Sequence, residues 1–167
     1  MKYVVIDLEM NPIATTYATE RKACKLEVIQ IGAVLLDERY QEIGSFVTLV
    51  KPQFNSRIER RYERLTGIKT EMTESSPYFE EAVNMFFNWC NSISDEIQII
   101  QWSENDFAQF SREIQLKKIF LLKSLLFVTA WMDCISCRIR TKNIWKQIGW
   151  ICRQNMDIRL VLRGIFL

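Results

Sequence analysis

The sequence predicts an α/β protein in which a mixed central sheet is flanked by helices. Two observations carry that expectation. Three β-patterned runs follow one another within the first 50 residues, and a fourth arrives near residue 97. Most of the chain between residues 58 and 116 keeps helical spacing instead.

Lys2–Ile6 is the first strand, an apolar run with Val4, Val5 and Ile6 at its heart. A polar loop follows. Glu27–Asp37, rich in β-branched and aliphatic residues, reads as the second strand. Residues 38–42 form a short polar turn, and Ile43–Val50 makes a third strand ended by Lys51-Pro52. Short connections of this kind make the three an antiparallel meander. Ile58–Leu65 is a charged helix that stops at Thr66-Gly67, where glycine suits a helix end. Ser75-Ser76-Pro77 opens the next helix, with Phe79, Ala82, Val83, Phe86, Trp89 and Cys90 on one face. Glu96–Trp102 is the fourth strand, and Phe107–Leu116 returns to helical spacing through Phe107, Phe110 and Ile114. There is no repeat, low-complexity run or Gly/Pro/Ser linker, so residues 1–167 are expected to form one domain whose C-terminal part is atypical.

At 167 residues such a domain buries roughly two-thirds of its unfolded surface. The net charge of +2 says little, but its distribution is uneven. Residues 1–110 carry 11 basic and 17 acidic side chains, whereas residues 111–167 carry 11 and 3. Asymmetry of this size marks either a nucleic-acid contact surface or a tail that has drifted from its ancestor. Five cysteines, an odd number, fit a reducing cytoplasmic location better than a disulfide framework. Met1-Lys2 runs straight into the first strand, so no cleavable leader is expected. The most apolar window, Ile119–Met132, is interrupted by Lys123. It falls short of the roughly 20 residues a membrane span needs, so no membrane role is expected.

The most informative feature is the end of the first strand, Val5-Ile6-Asp7-Leu8-Glu9-Met10. Residues two apart on a strand share a face, so Asp7 and Glu9 converge. Two like charges at the edge of a core repel, and both are costly to desolvate. A divalent cation relieves both problems, because hard cations take oxygen ligands. For a lone Asp-x-Glu, a strand end whose acids meet water would be the better reading. The rest of the sequence turns the balance.

These residues resemble the DEDD family of 3′→5′ exonucleases, the DnaQ-like proteins, which have a ribonuclease H-like fold. Val5-Ile6-Asp7-Leu8-Glu9 looks like the family's first motif. Glu27–Val34 is similar to its second strand, an IIEIGAV-type run, and Leu65-Thr66-Gly67-Ile68 to the helix end between the first two motifs. Gln101–Asp106 resembles the second motif of the Eri-like branch, with Ser103 in place of a glycine. The resemblance covers about residues 1–115.

The resemblance implies phosphodiester hydrolysis at the 3′ end of single-stranded RNA or DNA, with Mg²⁺ or Mn²⁺ as cofactor. In such chemistry two ions sit about 4 Å apart in a carboxylate cage. By resemblance Asp7 bridges the ions, Glu9 holds the one that prepares the attacking water, and Asp106 holds the other. The plainer reading of Asp106 is a helix N-cap ahead of Phe107. Met10 would lie beside the terminal nucleotide, or merely end the strand. Trp102 could stack on a base, although packing against the core is the commoner use of such a residue. Oligomeric state stays open.

One part of the pattern fails. The family's third motif supplies a His or Tyr base followed by a fourth carboxylate, and this sequence has no histidine. Asp133 and Asp157 have Thr129 and Arg153, not Tyr, four residues earlier. Leu162-Arg163-Gly164-Ile165 keeps three residues of the Eri-like His-Arg-Gly-Ile/Leu run at suitable spacing, with Leu162 where the base belongs and Leu167 where the acid belongs. Either the reading frame is disrupted after about residue 118, or the chain is a decayed or inactive homologue. Both imply impaired catalysis. The alternative from another class is a non-catalytic nucleic-acid-binding module on the same fold. It would use Arg138, Arg140, Lys142 and Lys146 interleaved with Trp145 and Trp150. Cys134 and Cys137 have the spacing of half a zinc site, but without histidine or a second pair buried thiols are the default.

Overall fold

A computed structural model describes residues 1–93, 96–101 and 104–119 of the protein, Glu104 by its backbone only. Within them the chain runs β1 (Lys2–Pro12), α1 (Ala18–Ala23), β2 (Leu26–Leu36), β3 (Glu42–Leu49), α2 (Arg60–Thr66), α3 (Thr70–Thr73), α4 (Phe79–Asn91), β4 (Ile97–Gln101) and α5 (Glu104–Leu116). The four strands form one sheet in the order β3-β2-β1-β4. β1, β2 and β3 are an antiparallel meander, and β4 joins β1 in parallel, so the sheet is mixed as the sequence predicts.

The β2–β3 turn is built on Asp37, whose carboxylate accepts the backbone N–H groups of Arg39 and Gln41 at 2.8 Å each. Tyr40 there takes a left-handed φ of 60° and stacks on Tyr3 with ring centroids 5.2 Å apart. The charged helix α2 stops at Gly67, as its sequence suggests. Gly67 has φ 75°, a conformation in which a Cβ is strained, and its N–H closes onto the Glu63 carbonyl.

Sequence and structure differ in extent more than in kind. β1 runs on to Pro12, because β2 offers it partners as far as Leu26. The polar loop after β1 contains the short helix α1. α5 starts at Glu104 rather than Phe107, because the buried side chain of Gln101 accepts the Phe107 N–H at 2.8 Å and stabilises the first turn. The zinc, basic-stretch and third-motif expectations, together with Trp102, lie outside the described residues.

The alternation of β1 sorts its side chains between two faces. Val4, Ile6 and Leu8 enter the main core with Val28, Ile31, Ala33 and Leu35 of β2. The apolar face of α4 closes this core through Phe79, Ala82, Val83 and Phe86, and α5 adds Phe110. Its rings meet edge to face, Phe79 and Phe110 at 5.6 Å and Phe86 and Phe87 at 5.2 Å. A smaller cluster of Ile29, Ile58 and Ile68 forms beneath α2. Ile29 reaches it through a bulge: Glu9 pairs with Gln30 and Met10 with Val28, leaving Ile29 unpaired between them.

Candidate functional site

Asp7, Glu9 and Asn11 share the β1 face opposite Val4, Ile6 and Leu8. Asp7 is half-buried, Glu9 is 8% exposed and Asn11 is fully buried. The β2 bulge sits directly beside Glu9. Asn11 ties this end of β1 to the chain leading into α2. Its amide donates to the Arg57 carbonyl at 3.2 Å and accepts the Glu59 N–H at 3.0 Å.

Asp106 arrives from the other side. β4 pairs with β1 only from Lys2 to Ile6, so beyond Ile6 that edge of β1 is open. The carboxylate of Asp106, third residue of α5 and 7% exposed, accepts the backbone N–H of Leu8 across the gap. It also accepts its own N–H. Asp106 therefore lies inside the first helical turn instead of capping the helix.

The electrostatics follow from this placement. Burial pushes Asp7 up to about 7, with the Asp106 charge adding to it. Glu9 is pushed up to about 8, chiefly by burial and then by repulsion from Asp7 and Asp106. Asp106 is raised to about 6 by burial, held back by the two backbone N–H groups it accepts. Among the described residues no basic side chain offsets any of the three shifts. Among the described residues, no group of three or more His, Cys, Asp or Glu side chains is drawn tightly enough together to hold a metal ion as the side chains stand. Like charges with no cation between them are expected to stand apart in this way. The donor chemistry itself fits a hard divalent cation: carboxylate oxygens, largely withdrawn from solvent, mutually repelling and uncompensated by any described basic side chain.

The other sequence candidates are placed as follows. Met10 is half-buried against the main core, on the strand face opposite Asp7 and Glu9. Trp102 is not among the described residues.

Several positioning side chains escaped the sequence reading. Gln101 caps α5. Farther along α5 and just past its end, Gln109, Glu113 and Lys117 follow at helical spacing and form a buried polar seam against β2. Glu113 accepts the Val28 N–H at 2.8 Å, and Gln109 donates to the Leu26 carbonyl at 2.8 Å. Lys117 pairs with Glu113 at 2.7 Å and reaches Glu27 at 3.6 Å, its ammonium lying over the rings of Phe79 and Phe54. Glu27 in turn accepts the backbone N–H groups of Gln53, Phe54 and Asn55. The 109, 113, 117 spacing was visible in the sequence, but charged residues on a helix ordinarily read as a solvated face.

The sequence matches the RNase T exonuclease family over residues 4–131. A comparison with curated proteins finds no match. Among solved structures, the nuclease domain of 3′hExo, described as a DEDDh family member bound to rAMP, superposes with a TM-score of 0.60 at 17% identity. That match covers 71% of this chain and 60% of the other. Cell-death related nuclease 4 (CRN-4) gives 0.60 at 20% identity, covering 72% and 41%. E. coli exonuclease I in complex with a dA16 oligonucleotide gives 0.52 at 16%, covering 75% and 25%. At these identities the likeness establishes the fold, and the chain spans about half or less of the length of most of these structures. With the family matched across most of its length and a mixed sheet flanked by helices like theirs, the chain belongs to the DEDD-type 3′→5′ exonuclease family.

Proposed function

We propose that this chain carries the metal-binding half of a 3′→5′ exonuclease site, acting on the 3′ end of single-stranded RNA or DNA, and that catalysis by these 167 residues is impaired. One observation carries the reading: Asp7, Glu9 and Asp106 lie within electrostatic range of one another, half-buried or buried, with no compensating basic side chain among the described residues. In this reading the three carboxylates hold Mg²⁺ or Mn²⁺. Bound divalent ions would supply an activated water and stabilise charge on the leaving 3′-oxygen. Asp106 is fixed by the Leu8 N–H, and Asp7 and Glu9 by the β1 ladder, so the chain presents its ligands on rigid elements. The impairment follows from the sequence, which has no histidine to serve as base.

The test is degradation of 5′-labelled single-stranded RNA and of the DNA of the same sequence, with Mg²⁺ or Mn²⁺, beside an Asp7→Ala control. A metal-dependent ladder shortening from the 3′ end and absent in Asp7→Ala supports an enzyme whose base is replaced by another group. If metal changes neither cleavage nor stability, and Asp7→Ala behaves as the parent protein does, the site is not a metal site.

The second reading, a non-catalytic nucleic-acid-binding module, draws support from the same missing base. It expects salt-sensitive binding that persists in Asp7→Ala and needs no metal.

A further inference from the structure

We infer that α2 and its flanks form a docking surface for the phosphate backbone of a single-stranded nucleic acid, beside the carboxylate site. Residues 57–69 hold five basic side chains, Arg57, Arg60, Arg61, Arg64 and Lys69, against two acids, Glu59 and Glu63. They stand out in a region, residues 1–110, where acids outnumber bases 17 to 11. The inference rests on the exonuclease reading for what enters the site, and on separate observations for where that strand lies.

The helix is anchored from below. Tyr62 packs against the Ile29, Ile58 and Ile68 cluster, and Thr66 is buried with its hydroxyl donating to the Tyr62 carbonyl at 2.9 Å. This leaves Arg60, Arg61 and Arg64 together on the outer face, all exposed, with Arg57 and Lys69 exposed at either end. Arg60 and Arg64, four residues apart, repel each other at a cost of a few tenths of a kcal/mol. The fold does not relieve that cost, since among the described residues none of the five side chains makes an ion pair. Glu63 is turned toward the Thr70 hydroxyl at 3.3 Å. A row of like charges held rigid and unpaired is suited to an external polyanion.

Its position relative to the site is set by Asn11. That residue shares the strand face of Asp7 and Glu9, about 7 Å along β1 from Glu9 at the usual rise. From there it grips the Arg57 carbonyl and the Glu59 N–H, the two groups that lead into α2. The chain that leads into the basic face is therefore tied to the carboxylate end of β1. A strand whose end enters a site of three acids needs positive charge close by to offset repulsion of its phosphates, and α2 supplies it.

The experiment is fluorescence anisotropy with 5′-labelled oligo-dT and oligo-U, in EDTA so that nothing is cleaved, as a function of KCl. It compares the parent protein, the triple variant Arg60→Gln/Arg61→Gln/Arg64→Gln, and Arg39→Gln. Arg39 lies in the β2–β3 turn at the opposite end of the sheet and controls for the loss of a basic side chain away from α2. Three lost phosphate contacts should flatten the slope of log affinity against log salt by about 2 for a single strand. The parent should then lose about sixteenfold more affinity than the triple variant over a fourfold rise in salt. Arg39→Gln should keep the parental slope. Equal slopes and affinities for the parent and the triple variant, both folded by circular dichroism, overturn the α2 surface while leaving the exonuclease reading intact. A parent that binds neither oligonucleotide at low salt also overturns the α2 surface, and leaves the exonuclease reading to the metal-dependent degradation assay, since EDTA empties the carboxylate site.

Discussion

Changing Glu9 to Gln is expected to stabilise the metal-free protein at alkaline pH. Glu9 moves from an ordinary 4.5 to about 8 on folding, first through burial and then through repulsion by Asp7 and Asp106. A carboxyl whose pKa is higher in the folded state binds more protons there than in the unfolded chain. Its contribution is therefore fully present below about 4.5 and is lost as pH rises through about 8. Each pKa unit is worth about 1.4 kcal/mol, so ionising Glu9 costs the fold about 4 kcal/mol by pH 8. Glutamine keeps the shape and cannot ionise, but its buried amide gives back about 1–2 kcal/mol. The net gain at pH 8 is about 2–3 kcal/mol, or about 5–10 °C in Tm for a domain of this size. At pH 4.5 the same variant should be neutral or slightly destabilised.

Thermal unfolding in EDTA from pH 4.5 to 8.5 reads this directly. The parental Tm should fall across the range, and the Glu9→Gln curve should fall less steeply. Adding Mg²⁺ or Mn²⁺ should restore the parent more at pH 8 than at pH 5, since a cation competes with protons for the same oxygens. It should restore Glu9→Gln less than the parent. A parental Tm that is flat or rising in EDTA, with Glu9→Gln parallel to it, would refute the burial and repulsion argued for these three acids.

Two further predictions concern the elements that hold the site. Lys117→Met keeps an unbranched side chain of similar length but removes the ammonium that lies over Phe54 and Phe79, leaving Glu113 and Glu27, both 0% exposed, without their cation. It should cost about 3–5 kcal/mol in urea denaturation, and adding Glu113→Gln should recover part of that. Gln101→Ala removes the acceptor for the Phe107 N–H and should cost about 1 kcal/mol by the same measurement. A change below a few tenths would mean water replaces that cap.

The parts of the fold that announce themselves in the sequence are those with a single period. β2 and β3 show the aliphatic and β-branched runs of strands, and α4 shows an apolar stripe from Phe79 to Cys90 that all but Trp89 bury outright. Asp7 and Glu9 were legible as a convergent pair because the i, i+2 rule needs no tertiary knowledge, whereas Asp106 stood out only through the likeness of Gln101–Asp106 to the family's second motif. The second half of β1 was hidden, since Glu9, Asn11 and Pro12 break the apolar pattern and only pairing with β2 keeps them extended. Asn11 falls in the stretch that reads as a polar loop, yet it is fully buried and ties β1 to the chain before α2. The Glu27–Lys117–Glu113 seam was hidden for a different reason: two of its partners are separated by some 90 residues of sequence, and each alone looks like surface charge.

That seam also bears on how three acids can be held near one another at all. Repulsion among Asp7, Glu9 and Asp106 pushes α5 away from β1, and one N–H from Leu8 is a modest restraint against it. The restoring force must come from elsewhere on the helix. Along α5 it comes from Phe110 in the apolar core and from Gln109 and Glu113 bonded to the backbone of β2, with Lys117 neutralising the buried charge. β4, only five residues long, opens the gap through which Asp106 reaches β1. The far half of α5 keeps that gap from widening, so residues two and three turns from Asp106 set the separation of the carboxylates as much as the carboxylates themselves do.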